Sequence, residues 1–256
     1  MSTGLGIDLS PAAMLYAAVV LVASYALRGS TGFGGFAAMP LLALVVPLKV
    51  LVPVWTLLTV SSSATLFGKD RRHVSMRHIL QMLPMCVIGI ACGLFLFSRL
   101  NTTVLAQLLG AWVSAYGVYA WWQTRHGYST ALRSSRLAHV MSFLAGAVGT
   151  IFGTMASLFF AVHLDAIRIT KDQFRGTLSA MMFTLGVIRG LGYFAVGEFT
   201  SSALILFAAA LPLMLLGLYL GDRVHHQMSE LTFRRVVCGL LIASGLPLML
   251  RPLFSA

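Results

Sequence analysis

The sequence predicts an all-helical membrane protein made of two inverted repeats, because it is very apolar, contains long apolar runs and repeats itself internally. Of its 256 residues 58% are hydrophobic and 10% are charged, and the mean hydropathy is +0.88. Soluble domains usually carry about a quarter charged residues. We therefore expect lipid, rather than water, to surround most of the chain.

Six apolar runs approach the roughly 20 residues that a membrane-spanning helix needs. They cover approximately 50–68, 79–97, 103–122, 174–195, 201–221 and 236–254. Two further stretches, 12–47 and 138–164, are interrupted by glycines at 28–35 and 146–153. We expect each interruption to leave half-helices of about 13 to 17 residues, as either a re-entrant hairpin or a broken helix. Membranes tolerate such structures only where protein or a cavity covers the freed backbone.

The basic residues between the apolar runs are distributed unevenly between the two sides of the membrane. The poorer side holds Lys49, Arg99 and Arg251. The richer side holds Lys69, Arg71, Arg72, Arg77, Arg125, Arg133, Arg136, Arg168, Lys171, Arg175, Arg223, Arg234 and Arg235. The richer side is predicted to be cytoplasmic, which places both termini outside.

The second half of the chain repeats features of the first in the same order. The spacing Pro-x4-Gly-x3-Gly occurs twice, 128 positions apart, and other pairs recur at offsets of 119 to 128. The matched features are Pro84-Gly89-Gly93 with Pro212-Gly217-Gly221, Gly117 with Gly245, Phe33-Gly34 with Phe152-Gly153, and Thr56-Leu57 with Thr177-Leu178.

This repeat predicts how the chain is divided. Residues 1–122 form a first membrane repeat, 123–137 a basic cytoplasmic linker and 138–256 a second repeat. Each half contains one broken stretch and three spans, which is an odd number of crossings whichever form the break takes. The halves are therefore predicted to have opposite orientations, the plan of many secondary transporters that bind substrate near the midplane.

The glycine breaks offer chemistry for binding an anion. If they are hairpins, second half-helices begin near Gly35 and near Thr154, and helix N-termini attract anions through unpaired amides and a positive dipole end. The candidate substrate-binding residues there are Ser30, Thr31, Gly32, Gly34, Gly35, Thr150, Gly153, Thr154 and Ser157. The alternative stays open that these small residues serve only close helix packing.

Two arginines lie apart from both basic sets. Arg28 precedes the first break and Arg189 lies inside the span 174–195, where an unpaired cation is costly and commonly marks function. Both are candidate anion ligands, although Arg189 could instead snorkel to the surface or pair with Glu198. Ser62 and Thr177 complete the candidate set, and such hydroxyls can also bond back to their own helix.

Two segments resemble the motifs of a known family. Gly32-Phe-Gly-Gly-Phe-Ala-Ala-Met-Pro-Leu-Leu42 resembles the Gly-rich, Pro-Leu motif of the TauE/SafE sulfite exporter family, and Arg175-Gly-Thr-Leu-Ser179 is similar to its Gly-Thr-Ser segment. The second copy, 152–159, lacks the extra glycines and the proline, and Trp55 stands where the family usually has a small residue.

This resemblance implies an anion permease of the toluene sulfonate uptake permease type in the bacterial inner membrane. It would move a small oxyanion such as sulfite or a sulfonate. Apart from the resemblance, we expect no cofactor, and a homodimer is the candidate assembly. Alternating access is the expected mechanism, with export the expected direction, and a passive anion channel is the alternative.

Other function classes fit the residues less well. The net charge of +11 would suit nucleic acid, but these charges lie between apolar runs instead of on a soluble face. Cys86, Cys92 and Cys238 lack metal-ligand spacing, and no catalytic pairing at membrane depth indicates an intramembrane enzyme. Asp165 with His163 would serve either as an interfacial ion pair with the nearby cations or in proton coupling.

The charge asymmetry makes the topology testable. Single cysteines at Arg71, Ser129 and His225, in a variant without native cysteines, should react with impermeant thiol reagents only from the cytoplasmic side. Labelling in intact cells and in inverted vesicles distinguishes the two sides. Reaction of the Ser129 position from outside would overturn the inverted arrangement.

Overall fold

A computed structural model describes residues 10–31, 38–70, 74–126, 135–157, 159–160, 164 and 171–224, and this part of the chain contains helices and no strands. The helices are α1 (Pro11–Thr31), α2 (Ala38–Leu42), α3 (Leu48–Asp70), α4 (Met76–Arg99), α5 (Thr102–His126), α6 (Ser135–Phe152), α7 (Lys171–Ala195) and α8 (Ser201–Val224). A further helical stretch begins at Ala156, between α6 and α7.

Five of these helices are long and apolar enough to cross a membrane: Pro11–Gly29, Leu48–Gly68, Met76–Arg99, Gly176–Ala195 and Ser201–Arg223. The described apolar parts of α5 and α6 are shorter, Thr102–Val118 and Ala138–Phe152. The predicted all-helical, multi-pass membrane fold is thus confirmed. The predicted span 236–254, most of the linker and the pair Asp165–His163 lie outside the described residues.

The helix breaks differ in position from the expectation. Helix α1 has 21 residues and runs on through Arg28 and Gly29, so it is longer than the expected half-helix. Helix α6 continues through Gly146 and Gly149 to Phe152. It ends where Gly153 and Met155 adopt φ values of +71° and +69°, a backbone region that non-glycine residues seldom occupy.

Gly146 does not interrupt α6; it lies where α6 packs directly against α4. A Cβ atom on Gly146 would collide with the backbone of α4 at the carbonyl of Cys86 and the amide of Ile90. Glycine therefore lets two helix backbones approach each other closely here, as small residues commonly do in membrane bundles. Most of the predicted break at 146–153 is therefore helical, and the helix is interrupted only from Gly153 onward.

The repeated Pro-x4-Gly-x3-Gly motif makes matching contacts in its two copies. Helix α4 packs against α6, and α8 packs against α1. A Cβ on Gly93 would lie 2.8 Å from the carbonyl oxygen of Ala147, and one on Gly217 would lie 2.6 Å from that of Val22. Each copy therefore holds its helix against the first helix of the other half of the chain, and α3 packs against α7 between the two pairs.

The outer faces of the helices are apolar and the inner faces are packed. Phe194 on α7 and Leu15 on α1 are 73% and 68% exposed, which suits a surface in contact with lipid. Trp55, Phe97 and Leu109 are fully or almost fully buried in one core cluster that joins α1, α3, α4 and α5. The polar side chains in the interior are therefore enclosed by apolar packing.

One substitution at two glycines should have opposite effects on stability. Gly217→Ala should lower the free energy of unfolding by about 1 to 3 kcal/mol, because the added methyl group meets the backbone of α1. Gly68→Ala in α3 meets no atom within 4 Å and should be neutral or stabilising by up to about 1 kcal/mol. Thermal unfolding of both purified variants in detergent measures the difference. Equal unfolding temperatures would contradict the close packing of α8 on α1.

Candidate functional site

Two arginine side chains are buried inside the helix bundle. Arg28 on α1 is 7% exposed and Arg189 on α7 is 2% exposed. Within the described residues the one ion pair joins Lys49 to Glu198, with 3.4 Å between Nζ and Oε1. The expected alternatives for Arg189 are therefore wrong: it does not snorkel, and Glu198 is paired with another cation.

Arg28 joins α1 to α3 near the C-terminal end of α1. Its Nη2 donates a hydrogen bond of 2.7 Å to Oγ of Ser63, a buried residue of α3. Its Nε forms no hydrogen bond. Since Arg28 lies in the last turn of α1, its charge is favoured by the negative end of that helix.

Arg189 contacts the C-terminal end of α6. Its Nη1 donates to the carbonyl oxygen of Gly149, and the hydroxyl of Tyr193 donates to that of Thr150. Both carbonyls lie in the last turn of α6, where helix geometry leaves the carbonyls without a partner four residues on. The break at Gly153 therefore exposes the acceptors that receive Arg189 and Tyr193.

The predicted second break also brings a helix start close to Arg189. A Cβ placed on Gly149 would lie 2.8 Å from Cβ of Ala156, the first residue of the next helical stretch, and 3.6 Å from Nη1 of Arg189. Thr154 is buried beside this start and Ser157 is half-buried within it. The second break therefore lies next to Arg189.

Buried hydroxyls on α1 and α3 lie close to one another near the two arginines. The hydroxyl of Tyr25 lies beside those of Thr59 and Ser62 and interacts electrostatically with both Arg28 and Arg189. Thr59 is the midpoint of α3. We call Ser24, Tyr25, Arg28, Thr59 and Arg189 the donor cluster.

Each residue of the donor cluster has one buried side-chain N or O atom without a hydrogen-bond partner. Among the described residues, the buried side-chain N and O atoms without a hydrogen bond are Oγ of Ser24, the Tyr25 hydroxyl, Nε of Arg28, Oγ1 of Thr59, Oγ of Ser114 and Nε of Arg189. All but the Ser114 atom belong to the donor cluster. Buried polar groups are normally hydrogen-bonded, so these unused donors make the cluster the candidate binding site.

Several predicted residues have hydroxyls that are already used within the protein. Ser62 donates to the carbonyl of Thr59 over 3.1 Å, and Thr150 donates to that of Gly146 over 2.6 Å. Thr177 accepts a hydrogen bond from the amide of Ser75. Twelve residues separate it from Arg189, or roughly 18 Å of helix, so it lies outside the donor cluster.

The first predicted break can be described only in part. The side chains of Ser30 and Thr31, and the whole of Gly32, Gly34 and Gly35, lie outside the described residues. In the second break Gly153 packs closely, since a Cβ there would lie 2.6 Å from Cε of Met39. Gly153 therefore meets α2, the helix that follows the first break.

Sequence reasoning missed Ser24, Tyr25 and Thr59. Ser24 and Tyr25 precede Arg28 by four and three residues, a spacing that puts side chains on one face of a helix. Polar residues at this spacing before an arginine in an apolar helix could have identified Ser24 and Tyr25 as neighbours of Arg28. Thr59 had none, because only the folded chain brings this residue of α3 beside Tyr25.

Comparison with known proteins identifies the family. The family model described as "Sulfite exporter TauE/SafE" matches residues 16–248. The chain belongs to the TauE/SafE sulfite exporter family. No solved structure matches the chain significantly.

Two known proteins resemble the chain over most of their length. The probable inner membrane transporter protein TsaS of Comamonas testosteroni is 29% identical, over 75% of this chain and 80% of the relative. The probable sulfite/organosulfonate exporter TauE of Cupriavidus necator is 28% identical, over 82% of both chains. With its apolar helices, the chain is thus a multi-pass protein of a transporter family.

Proposed function

We propose that this protein is a secondary transporter that carries sulfite or a small sulfonate across the inner membrane, with Arg28 and Arg189 as the charges that bind it. The observation that carries this proposal is the burial of two guanidinium groups to 7% and 2% exposure without a described carboxylate partner. An anionic substrate supplies the missing counter-charge. The names of the relatives supply the substrate class.

The charges of the helix ends are too small to neutralise both arginines, which favours a bound anion. A helix end carries roughly half an elementary charge, so the C-terminal ends of α1 and α6 together contribute about one negative charge. The two arginines contribute two positive charges. About one positive charge remains in a region where a cation at the bilayer centre costs about 2.5 to 3.5 kcal/mol on insertion scales. A sulfite or sulfonate head would remove most of this cost when it binds.

The helix pairing supports alternating access between inverted halves. Helix α4 packs on α6 as α8 packs on α1, and α3 packs on α7 between them. These pairings are expected if a two-fold axis between α3 and α7 relates α1 to α6, α3 to α7 and α4 to α8. The donor cluster lies on α1, α3 and α7, close to that axis, where transporters with inverted repeats bind their substrates.

A set of contacts at one end of the bundle is a candidate gate. Nζ of Lys49 donates to the carbonyl of Phe97 over 2.5 Å and lies 4.5 Å from the centre of its ring. The Phe97 ring meets Tyr193 edge-on at 5.2 Å, and Tyr193 donates to Thr150 beside the Arg189 acceptor. This chain of contacts connects the Lys49–Glu198 pair to the donor cluster and would close the side that is predicted to be outside.

Removing either buried charge should weaken transport of the anion. Arg28→Gln and Arg189→Gln keep a polar side chain and lose the charge, and each should raise the KM for sulfite by tenfold to a hundredfold, about 1.5 to 3 kcal/mol. Uptake of labelled sulfite by proteoliposomes measures the effect. Arg99→Gln is the matched control because Arg99 is exposed at the end of α4, and its KM should not change.

The outcome also tests the substrate class. If both variants transport sulfite and methanesulfonate with the KM of the wild type, the proposed role of the arginines is wrong. A flux through the wild type that grows linearly with concentration, without saturation, would favour the passive channel over alternating access.

Weakening the candidate gate should expose the buried residues behind it. Ala203 at the start of α8 is fully buried in the same core cluster as Phe97 and Tyr193. In a variant without native cysteines, Ala203→Cys should react with an impermeant maleimide from outside about fivefold faster when Glu198→Gln is added, since such ion pairs contribute about 1 kcal/mol or less. Arg99→Gln is the control. An unchanged rate, or reaction only from the cytoplasmic side, would count against a gate at this end.

A further inference from the structure

We propose that Tyr25, together with Thr59 and Ser24, donates hydrogen bonds to the oxygens of the anion head group between Arg28 and Arg189. This proposal rests on the proposed transport of an oxyanion and adds the neutral half of the site. It assigns substrate contact to three hydroxyls in the middle of the bundle.

The position of Tyr25 connects the two charges. It lies one turn before Arg28 on α1, and its hydroxyl is the group that interacts electrostatically with both arginines. Arg28 reaches Ser63 of α3, one turn beyond Thr59. On the other side, a Cβ on Gly190 would lie 3.9 Å from Thr56, so the neighbouring Arg189 is level with the centre of α3. An anion held by both arginines would therefore lie beside Tyr25.

The hydroxyls of this protein follow a rule that the donor cluster breaks. In the membrane helices the usual fate of a serine or threonine hydroxyl is a hydrogen bond to a carbonyl of its own helix. Residues that follow this rule are Thr56, Ser61, Ser62, Ser142, Thr150 and Thr184. Thr59 and Ser24 are also buried in helices, at 5% and 6% exposure, yet their hydroxyls make no such bond.

Leaving these hydroxyls unused is costly, which implies a use. A buried donor without a partner costs free energy comparable to a lost hydrogen bond, and the bilayer interior offers no water in compensation. A serine or threonine hydroxyl can avoid this cost by rotating toward its own helix. Three unused hydroxyls beside two unused Nε–H groups make a set of donors, which suits the three acceptor oxygens of a sulfite or sulfonate head.

Packing fixes the direction of the Tyr25 hydroxyl. The Tyr25 ring lies 5.4 Å from the Trp55 ring, tilted by 36°. On the opposite side, a Cβ on Gly217 would lie 2.8 Å from Cβ of Tyr25, so the repeated glycine motif on α8 leaves the space that this residue occupies. A donor that is already oriented loses little entropy when the ligand binds.

Tyr25→Phe tests this proposal because it removes the hydroxyl alone. Without ligand, the variant should unfold at about the same temperature as the wild type, since the Tyr25 hydroxyl lies beside Thr59 and Ser62 but makes no hydrogen bond of ordinary geometry with them. The KM for sulfite in proteoliposomes should rise about tenfold, as expected for one hydrogen bond to a charged group. The thermal stabilisation of the detergent-purified protein by sodium sulfite should fall in parallel. Thr59→Val should behave in the same way.

Tyr16→Phe is the matched control with the opposite pattern. The hydroxyl of Tyr16 donates to the carbonyl of Leu41 over 3.2 Å, so its loss should lower stability slightly and leave the KM unchanged. A Tyr25→Phe variant with the wild-type KM would overturn the role of Tyr25 while sulfite transport itself stands. A Tyr25→Phe variant that unfolds at a lower temperature without ligand would show that the hydroxyl is structural and would also overturn it. If wild-type protein neither binds nor transports sulfite or methanesulfonate, the proposed function fails first.

Discussion

A guanidinium group in a membrane interior needs acceptors, and a helix break of this protein supplies one for Arg189. In a continuous helix the carbonyls of Gly149 and Thr150 would accept hydrogen bonds from amides four residues on. Because α6 stops at Phe152 and Gly153 turns with φ of +71°, these carbonyls accept from Arg189 and Tyr193 instead. The break thus converts backbone acceptors into partners for a buried cation, at the helix end whose dipole favours positive charge. A residue with a Cβ at Gly153 would be strained by the positive φ and would push aside the end of the Met39 side chain.

Close approach of the helix backbones places these ends around the centre of the bundle. The glycines of the repeated motif let α4 and α8 lie directly against the backbones of α6 and α1. Little space is then left for polar side chains, so those that point inward have to be enclosed by neighbouring helices. Tyr25 is an example, since Gly217 and Trp55 flank its backbone and its ring. The same packing that stabilises the fold therefore orients the donors of the candidate site.

The features that the sequence predicted correctly depend on local physical chemistry. Apolar runs of span length indicate membrane helices wherever they occur. The arginines were recognisable as candidates because a cation in such a run is costly, and their role as anion ligands stays a prediction. The failures depend on tertiary contacts. Glu198 pairs with Lys49 because the loop after α7 meets the start of α3, and Gly146 is helical because α4 covers it. Tyr25 and Thr59 escaped notice because isolated hydroxyls in apolar helices usually bond to their own backbone, and only the packed structure shows that these do not.

In each half of the chain an arginine lies at the C-terminal end of the first helix, but the two arginines come from different positions in the sequence. The carbonyls of Ala26 and Ala147 meet equivalent glycines of the repeated motif, so Arg28 on α1 corresponds to Gly149 on α6. Arg28 is itself a residue of α1 and lies in its last turn, whereas the end of α6 is contacted by Arg189, a residue of α7. If the halves are inverted as we propose, the site is nearly symmetric in charge and asymmetric in its neutral groups. The unused hydroxyls of Ser24, Tyr25 and Thr59 all belong to the first half. An anion bound between Arg28 and Arg189 would then meet hydroxyl donors from the first half and the helix start at Ala156 from the second, so the two halves would contribute different neutral groups to one site.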